Sequence, residues 1–203
     1  MALGLACGQA HAGAYEDLLQ AVEFGDAASS TNLLYRGMDV NTADREGNTL
    51  LMIAARNGHL ELVELFVKSG ARMMARNRAG DTAIMLAAIK GHLPVVRFLA
   101  FAGAALNHAG WTPLSYAALE GRTEVVRFLL ENGADPNTKV TNGTTPLMLA
   151  ARNGHETVVR LLLARKADVD TENESGATAM SWAVKTGNTN IADLLRAAGA
   201  RDR

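Results

Sequence analysis

The sequence is poor in cysteine, in aromatic residues and in net charge. Its single cysteine, Cys7, excludes an internal disulfide framework and has no second metal ligand near it in sequence. Aromatics make up 5% of the chain, and the formal net charge is −1 over 203 residues. A charge so close to zero gives no general argument for binding nucleic acid or a membrane surface. No apolar run approaches the roughly 20 residues of a membrane-spanning helix. The serines carry no motif that would support a Ser-His-Asp arrangement. What remains, 48% hydrophobic and 20% charged, is the composition of a soluble globular chain.

Glycine, by contrast, is abundant at 19 residues, and it is periodic. Gly47, Gly80, Gly110, Gly143 and Gly176 stand 33, 30, 33 and 33 residues apart by subtraction. A second series, Gly25, Gly58, Gly91, Gly121, Gly154 and Gly187, keeps the same step. A fixed period in this range is the mark of stacked repeats. It also makes these glycines turn markers, so they do not form a phosphate-binding loop.

Each copy reads as a turn, a short helix, a Gly-containing break, a second helix and an extended exit. Thr49, Thr82, Thr112, Thr145 and Thr178 precede apolar runs, where a threonine caps the orphan amides of a first turn. Pro113 and Pro146 follow at the first helical position, where a missing N–H costs nothing. The pairs Ala54-Ala55, Ala87-Ala88, Ala117-Ala118 and Ala150-Ala151 keep the first helix thin, so that neighbours can approach. The Val-Val-x-Phe/Leu-Leu runs supply the apolar stripe of the second helix. No copy buries its apolar face alone, which predicts a core shared along the stack.

These residues resemble the ankyrin repeat. The matches are Gly-Trp-Thr-Pro-Leu at 110–114, Gly-Thr-Thr-Pro-Leu-Met-Leu-Ala-Ala at 143–151, Gly58-His59, Gly154-His155, Gly-Ala-Asp at 133–135 and Asp-Val-Asn at 39–41. The resemblance spans about 15–202. It implies an all-α solenoid of six helix-turn-helix units, including terminal caps, with short β-turn fingers. The units fall at about 15–43, 44–76, 77–107, 108–139, 140–172 and 173–203, and are expected to form one elongated domain.

The first unit lacks the Gly-x-Thr-Pro-Leu opening, and Glu16, Asp17, Gln20 and Glu23 give it the polar face of a cap. Its helices are expected at 15–24 and about 27–36. The fourth unit departs most. Between Gly103 and Gly110 it has 7 residues by subtraction, against 10 between Gly37 and Gly47, which predicts a stubby finger with Trp111 directly after its turn. Leu119 stands where the second and fifth units place Arg56 and Arg152. In the fifth unit Lys166 replaces a helix-ending glycine, and in the sixth Trp182 is expected toward the core.

Residues 1–14, MALGLACGQAHAGA, belong to no repeat. Ala10-His11-Ala12 fits an A-x-A cleavage site, and the segment reads as the tail of a secretory signal that lacks a basic start. The other reading is a leader with no message. On the first the mature chain begins near Gly13 and is periplasmic or secreted. On the second it is cytoplasmic.

His59, His92 and His155 share one repeat position. Successive copies lie on the order of 10 Å apart if a helix layer sets the step. Zinc needs each ligand at about 2.0–2.1 Å, so the histidines read as structural. No metal or other cofactor is expected, and no catalytic residue. The resemblance implies that a protein partner lies along the finger tips and the edges of the first helices. Carried over position by position, that surface comprises Arg45, Glu46, Asn48, Arg56, Asn57, Arg78, Asp81, Ile89, Lys90, His108, Trp111, Leu119, Glu120, Thr141, Asn142, Thr144, Arg152, Asn153, Glu174 and Lys185. Arg56, Lys90, Arg152 and Lys185 read as a basic line, and Trp111 with Leu119 as its apolar centre. A competing role for Trp111 is to cover the gap left by the short finger. The expected function is a non-enzymatic, monomeric protein-binding module. The alternative is an exported chaperone-like or immunity protein that protects or inhibits a partner enzyme or toxin.

Overall fold

The first helix of a repeat starts where a threonine hydroxyl takes up an amide that the helix itself leaves unpaired. Thr49, Thr112, Thr145 and Thr178 each accept from the amide three residues on, at 3.1–3.4 Å. The helix stops at a glycine or just before one: Gly58, Gly91, Gly121 and Gly154 all have φ between 67° and 84°, a region closed to most L side chains.

These signals give twelve helices among the described residues of this computed structural model. They are α1 (Leu3–Phe24), α2 (Ala27–Tyr35), α3 (Leu50–Asn57), α4 (Leu60–Lys68), α5 (Ala83–Lys90), α6 (Leu93–Phe101), α7 (Pro113–Leu119), α8 (Thr123–Glu131), α9 (Pro146–Arg152), α10 (Glu156–Ala164), α11 (Ala179–Lys185) and α12 (Thr189–Ala197). The structure describes residues 3–201, and side chains from residue 13 onward. Among them there is no strand; one isolated bridge joins Ala43 to Thr49. Among the described residues, no helix is long and apolar enough to cross a membrane.

The all-α reading and the helix pairing therefore hold. α1 differs from expectation at its start, running from Leu3 where the repeat pattern begins only at residue 15. The candidate processing triplet Ala10-His11-Ala12, and Cys7, lie outside the residues whose side chains are described.

The chain divides into two compact units, Met1–Ala87 and Ala88–Arg203, with the division inside α5. In the first, α1 packs on α2 and α3, and α3 on α4. In the second, α7, α9 and α11 pack in succession, each against its own second helix α8, α10 or α12. The pairs Ala54-Ala55, Ala117-Ala118 and Ala150-Ala151 lie at these seams and are fully buried. Their small side chains let neighbouring backbones approach.

Two kinds of polar bond tie neighbouring repeats together within each compact unit. The residue that opens the second helix reaches back to a carbonyl at the C-terminus of the preceding first helix. His59 Nε2 meets the Glu23 carbonyl at 3.1 Å, and His155 Nε2 meets that of Leu119 at 2.9 Å. A carbonyl only accepts, so each ring carries its proton on Nε2. Arg122 donates in the same way to Ile89, and Asn188 to Ala151. The second bond is at the exits, where Asn41, Asn107, Asn137 and Asp170 each accept a backbone amide one repeat on.

The first bond also decides why glycine precedes it. A Cβ on Gly121 would lie 2.5 Å from His155 Nδ1, and one on Gly25 would lie 2.7 Å from His59 Nδ1. Positive φ and the arriving ring exclude a side chain independently. Gly121→Ala is expected to destabilise by about 2 kcal/mol or more in thermal or urea unfolding. Adding His155→Ala should relieve the steric part and leave the conformational part, giving a clear coupling energy in the double-mutant cycle.

Lys166 adopts φ 59°, the only positive-φ non-glycine among the described residues, at the position that Gly70, Gly103, Gly133 and Gly199 fill elsewhere. Lys166→Gly should stabilise the chain by about 1 kcal/mol, read as a rise in melting temperature.

Candidate functional site

The fingers are built from the side chains that begin them. Asp44 accepts the amides of Glu46 and Asn48, and Asn77 those of Ala79 and Asp81. Adjacent fingers then join: Arg78 N donates to the Glu46 carbonyl, and Asn77 Nδ2 to Asn48 Oδ1 at 2.8 Å. In the second unit Glu174 N donates likewise to the Asn142 carbonyl, and Asn173 Nδ2 meets Thr144 Oγ1.

This bonding removes two expected contact residues from the surface. Asn48 and Thr144 are buried, because they serve as rungs between fingers. His108 is also turned inward: its Nδ1 lies 3.0 Å from the Ala109 carbonyl and its Nε2 is buried. Asn57 and Asn153 keep part of their surface, yet each Nδ2 is committed to the preceding first helix, on the carbonyls of Glu23 and Leu119. Arg45, Glu46 and Arg78 are exposed in the first unit, and Lys90, Glu120, Thr141, Asn142, Arg152, Glu174 and Lys185 in the second. Asp81, Ile89 and Leu119 are half-buried.

The basic line needs a correction. Counted from the capping threonine, Arg56, Arg152 and Lys185 share one position, but Lys90 lies one residue beyond it and Ile89 occupies the position. Arg56 is moreover paired, with Glu23 Oε2 at 3.0 Å.

The second unit contains a cleft of about 300 Å³ lined by Trp111, Val140, Thr141, Asn142, Thr144, Leu149, Arg152 and Trp182. Both tryptophans of the chain are in it. Trp111 is half-buried and stacks on Tyr116, with centroids 4.7 Å apart and planes 24° apart. Trp111 thus forms one wall of the cleft with Tyr116 against its ring. Trp182 was expected in the core; instead it is half-buried at the opposite wall, with the Arg152 guanidinium 4.8 Å above its ring. Val140 and Leu149 form an apolar floor. Leu119 does not line the cleft.

The signal for Trp182 is present in the sequence. Four residues after each capping threonine stand Ile53, Leu86, Tyr116, Leu149 and Trp182, one column on the inner edge of the first helices. A tryptophan is too large to be enclosed where a leucine is, so its ring emerges into the groove. The three periodic histidines make no metal site, and no cluster of ligating groups exists among the described residues.

This architecture has counterparts among known proteins. The family described as "Ankyrin repeats (3 copies)" matches residues 18–109, 69–140 and 136–202. A stretch of 77 residues is 38% identical to interferon antagonist OPG039 of monkeypox virus, over 34% of this chain and 27% of that protein. Interferon antagonist OPG040 of vaccinia virus (strain Western Reserve) is 36% identical over the same shares. The chain thus matches about a quarter of the length of these relatives. Among solved structures, a chain is similar at TM-score 0.79 and 29% identity, covering 89% of this chain and 97% of its own length. It comes from the complex of Bd0816, a predatory endopeptidase from Bdellovibrio bacteriovorus, with immunity protein Bd3460. The matched repeats, the capping threonines and the glycine-broken helix pairs agree: the chain belongs to the ankyrin-repeat family, whose repeats are protein-interaction modules.

Proposed function

We propose that the chain is a non-enzymatic module, acting as a monomer, that holds a protein partner against the cleft in residues 88–203. The observation that carries this reading is the placement of both tryptophans, with Arg152, around one open cleft. Tryptophan and arginine dominate binding energy at protein interfaces, and they do so where an apolar floor excludes water around them. The exposed finger residues Thr141 and Asn142 then form one edge, and Leu119, Asn153 and Lys185 meet the partner beyond the cleft.

A second reading is an exported immunity-type protein that shields or inhibits a partner enzyme. It is favoured by the likeness, over nearly the whole of both chains, to a chain from an endopeptidase–immunity complex. On this reading residues 1–14 are a leader removed near Gly13, which mass spectrometry of protein expressed in its source cell would detect.

The test is capture of the partner from source lysate with the full chain and three variants. Trp182→Ala and Trp111→Ala should each reduce capture about tenfold or more, with cooperative helical melts retained. Arg56→Ala should capture normally. Capture that survives both tryptophan changes would place the interface elsewhere. Assay of the purified partner then separates the two readings: loss of its activity on adding the chain supports the immunity role, and unchanged activity opposes it.

A further inference from the structure

The first-helix edge carries Glu23, Arg56, Ile89, Leu119, Arg152 and Lys185 at one repeat position. In the first unit this column neutralises itself, since Glu23 in the preceding repeat meets Arg56 at 3.0 Å. In the second unit the residue preceding Arg152 in the column is Leu119 and the one following is Lys185. Neither supplies a carboxylate. The acid adjoining Leu119, Glu120, is turned to Arg122 at 3.8 Å, and Glu174 in the neighbouring finger does not line the cleft. Arg152 contacts Asn153 Oδ1 at 3.4 Å and the face of Trp182; no carboxylate of the described residues pairs with it. It is the only ionisable group among the cleft's lining residues. The cleft therefore presents an exposed guanidinium, seated over an indole face, beside an apolar floor.

Taking the cleft as the binding site, we infer that its occupant is an internal segment of a partner protein bearing an Asp or Glu next to a large apolar side chain. The guanidinium offers a planar fork that matches a carboxylate in two hydrogen bonds. Contact with the Trp182 ring restrains the guanidinium before the partner arrives, which lowers the ordering cost of binding. Trp111, Val140 and Leu149 receive the apolar neighbour, and about 300 Å³ suits one large side chain with its adjoining acid. Capture of a terminal carboxylate uses several free backbone amides. Among the lining residues, Val140 and Thr144 spend theirs inside the finger, and Leu149 and Trp182 inside their helices, which leaves the Arg152 guanidinium as the charged group that meets an acid.

The probe is a displayed random-peptide library panned on the full chain, with selected peptides resynthesised with acetylated and amidated ends. The expected consensus is an acid adjacent to Leu, Ile, Phe or Trp. Binding should weaken about tenfold or more with Arg152→Gln, and equally when the peptide's acid is made its amide. The two changes together should cost little more than either alone, and Arg56→Gln should cost nothing. Peptides that need Trp182 but no acid would overturn the inference and leave the cleft standing. Peptides indifferent to both Trp182→Ala and Arg152→Gln would overturn the cleft reading and the inference with it. Loss of binding on C-terminal amidation would overturn the internal segment, and a library that yields no binder sensitive to Trp182→Ala counts against the inference.

Discussion

Repeat-to-repeat bonding at the ends of the first helices, within each compact unit, is the constraint on which the rest depends. The last turn of a helix leaves carbonyls without partners. Here the next repeat supplies the donors. Asn57 and His59 converge on the Glu23 carbonyl, and Asn153 and His155 converge on that of Leu119. A hydrogen bond of this kind contributes about 0.5–1.5 kcal/mol net, and two donors meeting on one carbonyl fix register between neighbours. The arrangement fixes the sequence as well. The ring can arrive only where the preceding repeat ends in glycine, which explains why Gly and His recur as a pair across repeats.

With register fixed, each repeat position becomes a column, and the chemistry of the surface follows from what occupies it. The column through Arg56 and Arg152 gives opposite results in the two units. Glu23 meets Arg56, whereas Leu119 offers Arg152 no carboxylate, and among the described residues Arg152 contacts Asn153 and the Trp182 ring instead. The short fourth finger acts on the neighbouring column. Where other repeats place Asn48 or Thr144 as a buried rung, it places Trp111, which is too large to be a rung and stacks on Tyr116 instead. One deletion and two aromatic substitutions thus convert part of a regular polar groove into a cleft with aromatic walls and a cationic edge.

Much of this was legible in the sequence because repeats report their own register. The glycine series, the capping threonines and the alanine pairs located the helices, and Lys166 announced its left-handed backbone by standing where glycine belongs. The site was only half legible. Trp111 and Arg152 stand out in the sequence and line the cleft, whereas Trp182, which the repeat pattern points toward the core, lines it too. The roles of Asn48, Thr144 and His108 could not be seen in one repeat: they depend on hydrogen bonds between fingers, or on how a shortened turn folds its ring inward. The basic line failed at Lys90 because a Lys next to the right position looks the same as one in it until residues are counted from the cap.

The most direct test uses the fact that the chain has two tryptophans and both line the cleft. A nitrogen-15 correlation spectrum therefore holds two indole N–H resonances. On titration with the purified partner, occupation of the cleft predicts that both shift or broaden in step with binding, while amides of the first unit's fingers stay in place. Saturated binding that leaves both indole resonances unmoved would contradict the account.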